Sequence, residues 1–91
     1  MPRFYLNIRN GNGFTPDEEG RDFAGAEEAR AEAVKGARSL LSAEVEQGQL
    51  DLRGAIEVTD EQGAHVMSIA FRDALVILDG PVPAADEGAR P

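Results

Sequence analysis

The sequence predicts an α+β fold, a two-layer sandwich in which an antiparallel sheet of about four strands packs on one long helix. Three observations carry this. Residues 26–47 are the only run long enough for a sizeable helix, and they are alanine-rich and amphipathic. Residues 3–10 and 64–71 alternate between large apolar and other side chains with the two-residue period of half-buried strands. Asn10-Gly11-Asn12-Gly13 and Asp60-Glu61-Gln62-Gly63 are turn sequences, placed where antiparallel strands would reverse. The expected order is strand, short strand, helix, strand, strand, filling residues 1–78.

In the first strand, Phe4, Leu6 and Ile8 share one face and Tyr5, Asn7 and Arg9 the other. Phe14 begins a short return strand that Pro16 interrupts. Asp17-Glu18-Glu19-Gly20 is an acidic loop, and residues 21–24 form a brief edge strand anchored by Phe23.

The helix would span about 33 Å at the usual rise per residue. Ala29, Ala33, Ala37, Leu40, Leu41 and Val45 form its apolar face, small residues first and larger ones filling the wider end. Gly25 suits the N-cap, Glu28 the acid of a capping box, and Gly48 the left-handed closing position. Gly36 inside the helix costs about 1 kcal/mol against alanine, which predicts a second backbone packed closely there.

After the helix, residues 49–59 read as a strand with Gly54 as a bulge. The strand over 64–71 returns with Met67, Ile69 and Phe71 turned to the helix and Val66, Ser68 and Ala70 away. Arg72-Asp73-Ala74-Leu75 suits a helical turn, and Val76-Ile77-Leu78 a final strand or packing segment. Residues 79–91, rich in glycine, proline and alanine, read as a flexible tail.

At 91 residues the chain is one small domain with a modest core. It has no cysteine, so disulfides, thiolate metal sites and thiol nucleophiles are excluded. No apolar run reaches transmembrane length and the N-terminus is not a signal peptide, so a cytoplasmic protein is expected. The net charge is −8, and residues 17–32 alone hold seven acids against two arginines. Without clustered Lys and Arg, nucleic-acid binding is not expected; an acidic surface keeps the chain soluble or meets a basic protein.

Candidate chemistry is thin. His65, the only histidine, has no acid beside it in sequence, and Ser39, Ser42 and Ser68 have no nucleophile-elbow context. Replacing His65 with alanine is therefore expected to leave any activity intact. Asp17, Glu18 and Glu19 could offer oxygen ligands to a hard cation, but Phe14 and Thr15 break an EF-hand pattern. Gly11-Asn12-Gly13 opens no helix, so it is no dinucleotide fingerprint. No cofactor, resident metal or catalytic residue is expected.

Two resemblances follow from the motifs. Met1-Pro2-Arg3-Phe4-Tyr5-Leu6-Asn7-Ile8-Arg9-Asn10-Gly11, Pro16-Asp17-Glu18-Glu19-Gly20, Glu27-Glu28-Ala29-Arg30, Ile56-Glu57-Val58-Thr59-Asp60-Glu61-Gln62-Gly63 and Phe71-Arg72-Asp73-Ala74-Leu75 resemble a family of small proteins from rhizobia and related alphaproteobacteria. That family is classed only as a domain of unknown function, and the resemblance implies a compact bacterial cytoplasmic domain with no activity to carry over. Pro16-Asp17-Glu18-Glu19-Gly20 and Glu28-Ala29 also fit the outline of HicB-type antitoxins, which implies a domain that masks a basic RNA-cleaving toxin. The tail departs from that outline, with no DNA-binding helix pattern and Arg90 as its one basic residue.

The resulting expectation is a non-enzymatic protein–protein interaction module. Its surface is either the sheet face away from the helix, with Tyr5, or the acidic surface of Asp17, Glu18, Glu19, Glu28 and Glu32. Because one helix covers one side of a sheet, a homodimer is expected, with the second copy over the open face. The alternatives are a HicB-like antitoxin and a metal- or small-ligand-binding protein centred on the acidic loop.

Overall fold

One helix lies across an open antiparallel sheet, and its alanines set how closely it can lie. The computed structural model describes residues 1–84. Its strands are β1 (Arg3–Asn10), β2 (Gly13–Thr15), β3 (Arg21–Asp22), β4 (Ala55–Thr59) and β5 (His65–Ala70); the helix α1 is Ala26–Glu46, and a 3-10 turn, Phe71–Ala74, follows β5. The expected α+β sandwich is present with five strands, ordered β2-β1-β4-β5, with β3 also on β1. Among the described residues no helix is long and apolar enough to cross a membrane.

Ala29, Ala33, Ala37 and Leu41 are the buried stripe of α1, and they meet Phe4, Phe23, Ile56, Val58, Ile69 and Phe71 in one core. Three of the four are alanines, so the helix backbone approaches the sheet closely. Val45, expected in this face, is exposed. At about 100° per residue each four-residue step turns the stripe about 40°, so Val45 has turned about 160° from Ala29 and is past the face that meets the sheet. Gly25 caps the helix in an extended conformation but Glu28 makes no capping hydrogen bond, so the capping box is not formed. Gly48 closes the helix at φ 84° as its position predicts.

Gly36 departs from expectation. A Cβ there would lie 3.7 Å from Ile56 Cδ1, an ordinary contact, so no backbone packs closely against it. Gly36→Ala is therefore expected to stabilise the protein by up to about 1 kcal/mol. A thermal melt should show a rise of several degrees, and a fall would contradict this packing.

Between α1 and β4 the chain turns where strand was expected over 49–54. Glu44 Oε1 accepts the Asp51 N–H at 2.9 Å, and Asp51 accepts both the backbone N–H and the guanidinium of Arg53. That guanidinium, then the backbone bond, holds the Asp51 carboxyl at about 2, well below the usual carboxylate range. These local bonds compete with ladder pairing, so β4 starts only at Ala55. Gly54 is not a bulge; the register irregularity lies between Val58 and Thr59.

On β5, Ile69 is buried and Met67 packs against the core, and Phe71 just beyond it is buried, as the alternation predicts. Val66, expected on the other face, also packs against the core, because the register shifts beside it. Residues 76–78 form neither a strand nor part of the core and are exposed. Of the expected tail, residues 79–84 have no helix or strand, and residues 85–91 lie outside the described residues.

Candidate functional site

Strand alternation places Tyr5, Asn7 and Arg9 of β1 on the sheet face opposite α1, and the ladder sets other strands' residues beside them. Tyr5 pairs with Thr59, Asn7 with Glu57 and Arg9 with Ala55; on the next strand Glu57 pairs with Ser68 and Ala55 with Ala70. Phe14, opposite Arg9 on β2, shares the face. Among the described residues, no second layer covers it.

At its centre, Asn7 is only 6% exposed. Its Nδ2 donates to Glu57 O at 2.9 Å and Thr59 Oγ1 at 3.2 Å, and its Oδ1 accepts the Asp17 N–H at 2.9 Å. A polar residue so buried on an open face is satisfied by backbone on both sides, which ties β1 to β4 and to the acidic loop.

Around it lies a charged network that the linear sequence does not reveal. Ser68 Oγ donates to Glu57 Oε1; His65 Nε2 lies 3.1 Å from Ser68 Oγ and 3.4 Å from Glu57 Oε1. Arg9 Nε stands 3.6 Å from Glu57 Oε2, and its guanidinium lies 4.9 Å above the Phe14 ring. His65 has no acid beside it in sequence, but the β4–β5 register brings Glu57 to it. The hairpin loop alone would set Glu57 opposite Val66; the register shift between Val58 and Thr59 is what brings it opposite Ser68, and nothing in the linear sequence marks that shift.

Serine, histidine and glutamate in contact invite comparison with a nucleophile–base pair, and the geometry differs from one. Ser68 Oγ donates to Glu57 Oε1, and the same oxygen lies 3.1 Å from the imidazole Nε2. One nitrogen, Nε2, faces both partners, and among the described residues no carboxylate reaches Nδ1, where a relay has one. The network is set up to hold three strands' side chains in place on an exposed face.

The acidic residues are divided among several tasks. Asp17 accepts the N–H of Leu6 at 3.1 Å and of Gly20 at 3.1 Å, filling the gap between β2 and β3 along the outer edge of β1. It is a structural acceptor and not a solvated ligand. Glu32 is paired with Arg21 at 3.4 Å, and together with Asp17 it rims a cleft of about 300 Å³ beside Gly36. Glu18, Glu19 and Glu28 are exposed. Tyr5 lies on the other sheet face, its ring against Gly20, where an added Cβ would fall 2.8 Å away. The six candidate residues therefore do not form one surface. Among the described residues no three His, Asp or Glu converge as a metal site would.

A family model described as Domain of unknown function (DUF6894) matches residues 3–72, from the start of β1 into the 3-10 turn. It agrees with the resemblance to a family of unknown function, and nothing in it bears on the HicB-type outline. No curated protein and no solved structure matches the chain.

Proposed function

This chain belongs to the DUF6894 family of domains of unknown function, and we propose that it serves as a non-enzymatic protein-interaction module whose working surface is the open face of the sheet. The observation that carries the reading is the combination of Phe14, 48% exposed, with Arg9 stacked on it and with the Glu57–Ser68–His65 network beside it. Exposed aromatic and arginine side chains held by their neighbours lose little freedom when a partner covers them, which is what makes them efficient contact residues. The acidic surface is the weaker candidate, because Asp17 and Glu32 are already engaged within the chain.

The partner in this reading is a protein, met in the cytoplasm, with neither nucleic acid nor membrane involved. The absence of cysteine and the net charge of −8 support that setting.

Affinity capture from the native cytoplasm tests the proposal when wild type is compared with two variants. Arg9→Ser/Phe14→Ser removes exposed groups of the open face and should lower recovery of the partner roughly tenfold or more, with an unchanged circular dichroism spectrum. Glu18→Lys/Glu19→Lys reverses charge on the acidic loop and should leave recovery unchanged. The opposite pattern would move the working surface to the acidic side.

A further inference from the structure

We propose that two copies of this chain join edge to edge through β5, with residues 76–78 of each copy lying along α1 of the other. The first observation is the free sheet edge. The outer edge of β1 is closed by β2, β3 and the Asp17 carboxylate, whereas β5 ends the sheet with no partner among the described residues. Unpaired edges are ordinarily guarded by charge or proline. β5 reads His-Val-Met-Ser-Ile-Ala and carries neither. It lies within residues 62–71, the longest stretch free of Asp, Glu, Lys and Arg in a chain of net charge −8. Two such chains repel over most of their surface, and this edge is where they meet with least cost.

The second observation is an apolar segment that its own copy does not absorb. Leu75 packs against the core in an extended conformation, but Val76, Ile77 and Leu78 are 83%, 46% and 90% exposed. The segment leaves the domain on the β5 side, one 3-10 turn after that strand, where Arg38 Nε donates to Ala74 O at 2.6 Å.

The third is a matching surface. On one flank of α1, Ala31 and Val34 line a shallow groove of about 520 Å³ together with Arg30, Arg38 and the acid Glu27. Arg30 has no ion-pair partner among the described residues. The apolar triplet is followed directly by Asp79, so an apolar strip with two arginines against one acid, Glu27, meets an apolar segment ending in an acid.

Topology brings the two together across a two-fold axis. β1 runs along α1, since Phe4 at its start packs on Phe23 just ahead of the helix and Asn10 at its end lines a pocket with Glu44 and Gln47. β1 and β5 are both antiparallel to β4, so β5 also runs along α1. Antiparallel pairing of two β5 edges sets the Ala70 end of one copy beside the His65 end of the other. Each exiting segment is then directed to the N-terminal half of the other helix, where Arg30 and Val34 lie.

This dimer leaves the open face of both copies uncovered, so it stands apart from the interaction surface proposed above and can fail separately from it. It also relocates the homodimer from the open face, which stays available to another partner.

Sedimentation velocity of the full chain over a range of concentrations tests the assignment. Wild type should be a dimer at micromolar concentration. Val76→Asp/Leu78→Asp changes only exposed side chains, and should weaken the dimer at least tenfold with an unchanged circular dichroism spectrum. Arg30→Glu should weaken it too, and adding Asp79→Arg in the same chain should restore it. A monomeric wild type would overturn the proposal. So would a dimer that survives Val76→Asp/Leu78→Asp, or one lost in the open-face variant Arg9→Ser/Phe14→Ser.

Discussion

Gly54→Ala lowers the stability of this protein by about 3 kcal/mol or more, the largest effect expected of any single methyl addition here. Its φ is not positive, so the cause is space. A Cβ at this position would lie 2.5 Å from the Arg9 carbonyl oxygen and 2.5 Å from Phe71 Cε2. Neither neighbour can retreat. The Arg9 backbone is held in the β1–β4 ladder opposite Ala55, and Phe71 is buried in the core. Gly54 also accepts the Phe71 N–H at 2.9 Å, so moving its backbone would break the bond that seats the 3-10 turn. Small domains sit near the low end of the usual 5–15 kcal/mol, so about 3 kcal/mol removes much of the margin. Urea denaturation followed by circular dichroism measures it; a loss under about 1 kcal/mol would contradict this packing.

Asp17→Ala follows, with an expected loss of about 2–3 kcal/mol. Along its outer edge β1 is paired with β2 from Ile8 to Asn10 and with β3 at Arg3 and Phe4, which leaves Leu6 between them without a strand. The Asp17 carboxylate takes the Leu6 N–H there, and folds its own loop by accepting the N–H of Glu19 and Gly20. Alanine leaves part-buried donors unsatisfied, and an unmade hydrogen bond costs more than a made one contributes. Glu18→Ala and Glu19→Ala remove exposed carboxylates and should change stability by no more than about 0.5 kcal/mol. Equal effects at all three positions would return Asp17 to the role of a solvated acid.

These two residues show where sequence reading stops. The periodicities of β1, α1 and β5 were legible because each depends on residues near one another in the chain: Phe4, Leu6 and Ile8, or Ala29, Ala33 and Ala37. Gly48 was legible for the same reason. Gly54 looked like a bulge, because the Arg9 carbonyl and the Phe71 ring that exclude a side chain there come from distant parts of the sequence. Asp17 looked like a free acid, because the gap it fills exists only once β2 and β3 flank β1. Val45 fitted the four-and-three spacing of the apolar face, yet the buried stripe of α1 had already rotated away from it.

The candidate site divides in the same way. Tyr5 and Ala70 on the open face follow from strand parity alone, but Val66, expected beside them, packs against the core at the irregularity opposite Val58 and Thr59. The meeting of Arg9, Glu57, His65 and Ser68 needs three strands in register and the shift between Val58 and Thr59 that sets His65 and Ser68, of opposite parity in sequence, on one face. Phe14 was visible as a strand start, but its place under the Arg9 guanidinium required the β1–β2 pairing.

The open face of the sheet, as the working surface, should respond when the isotope-labelled protein is mixed with its captured partner and followed by nuclear magnetic resonance. Shift changes are expected to concentrate at Tyr5, Arg9, Phe14, His65 and Ser68, with Glu18, Glu19 and Glu28 unmoved. Changes confined to those three acids, with the open face silent, would contradict it.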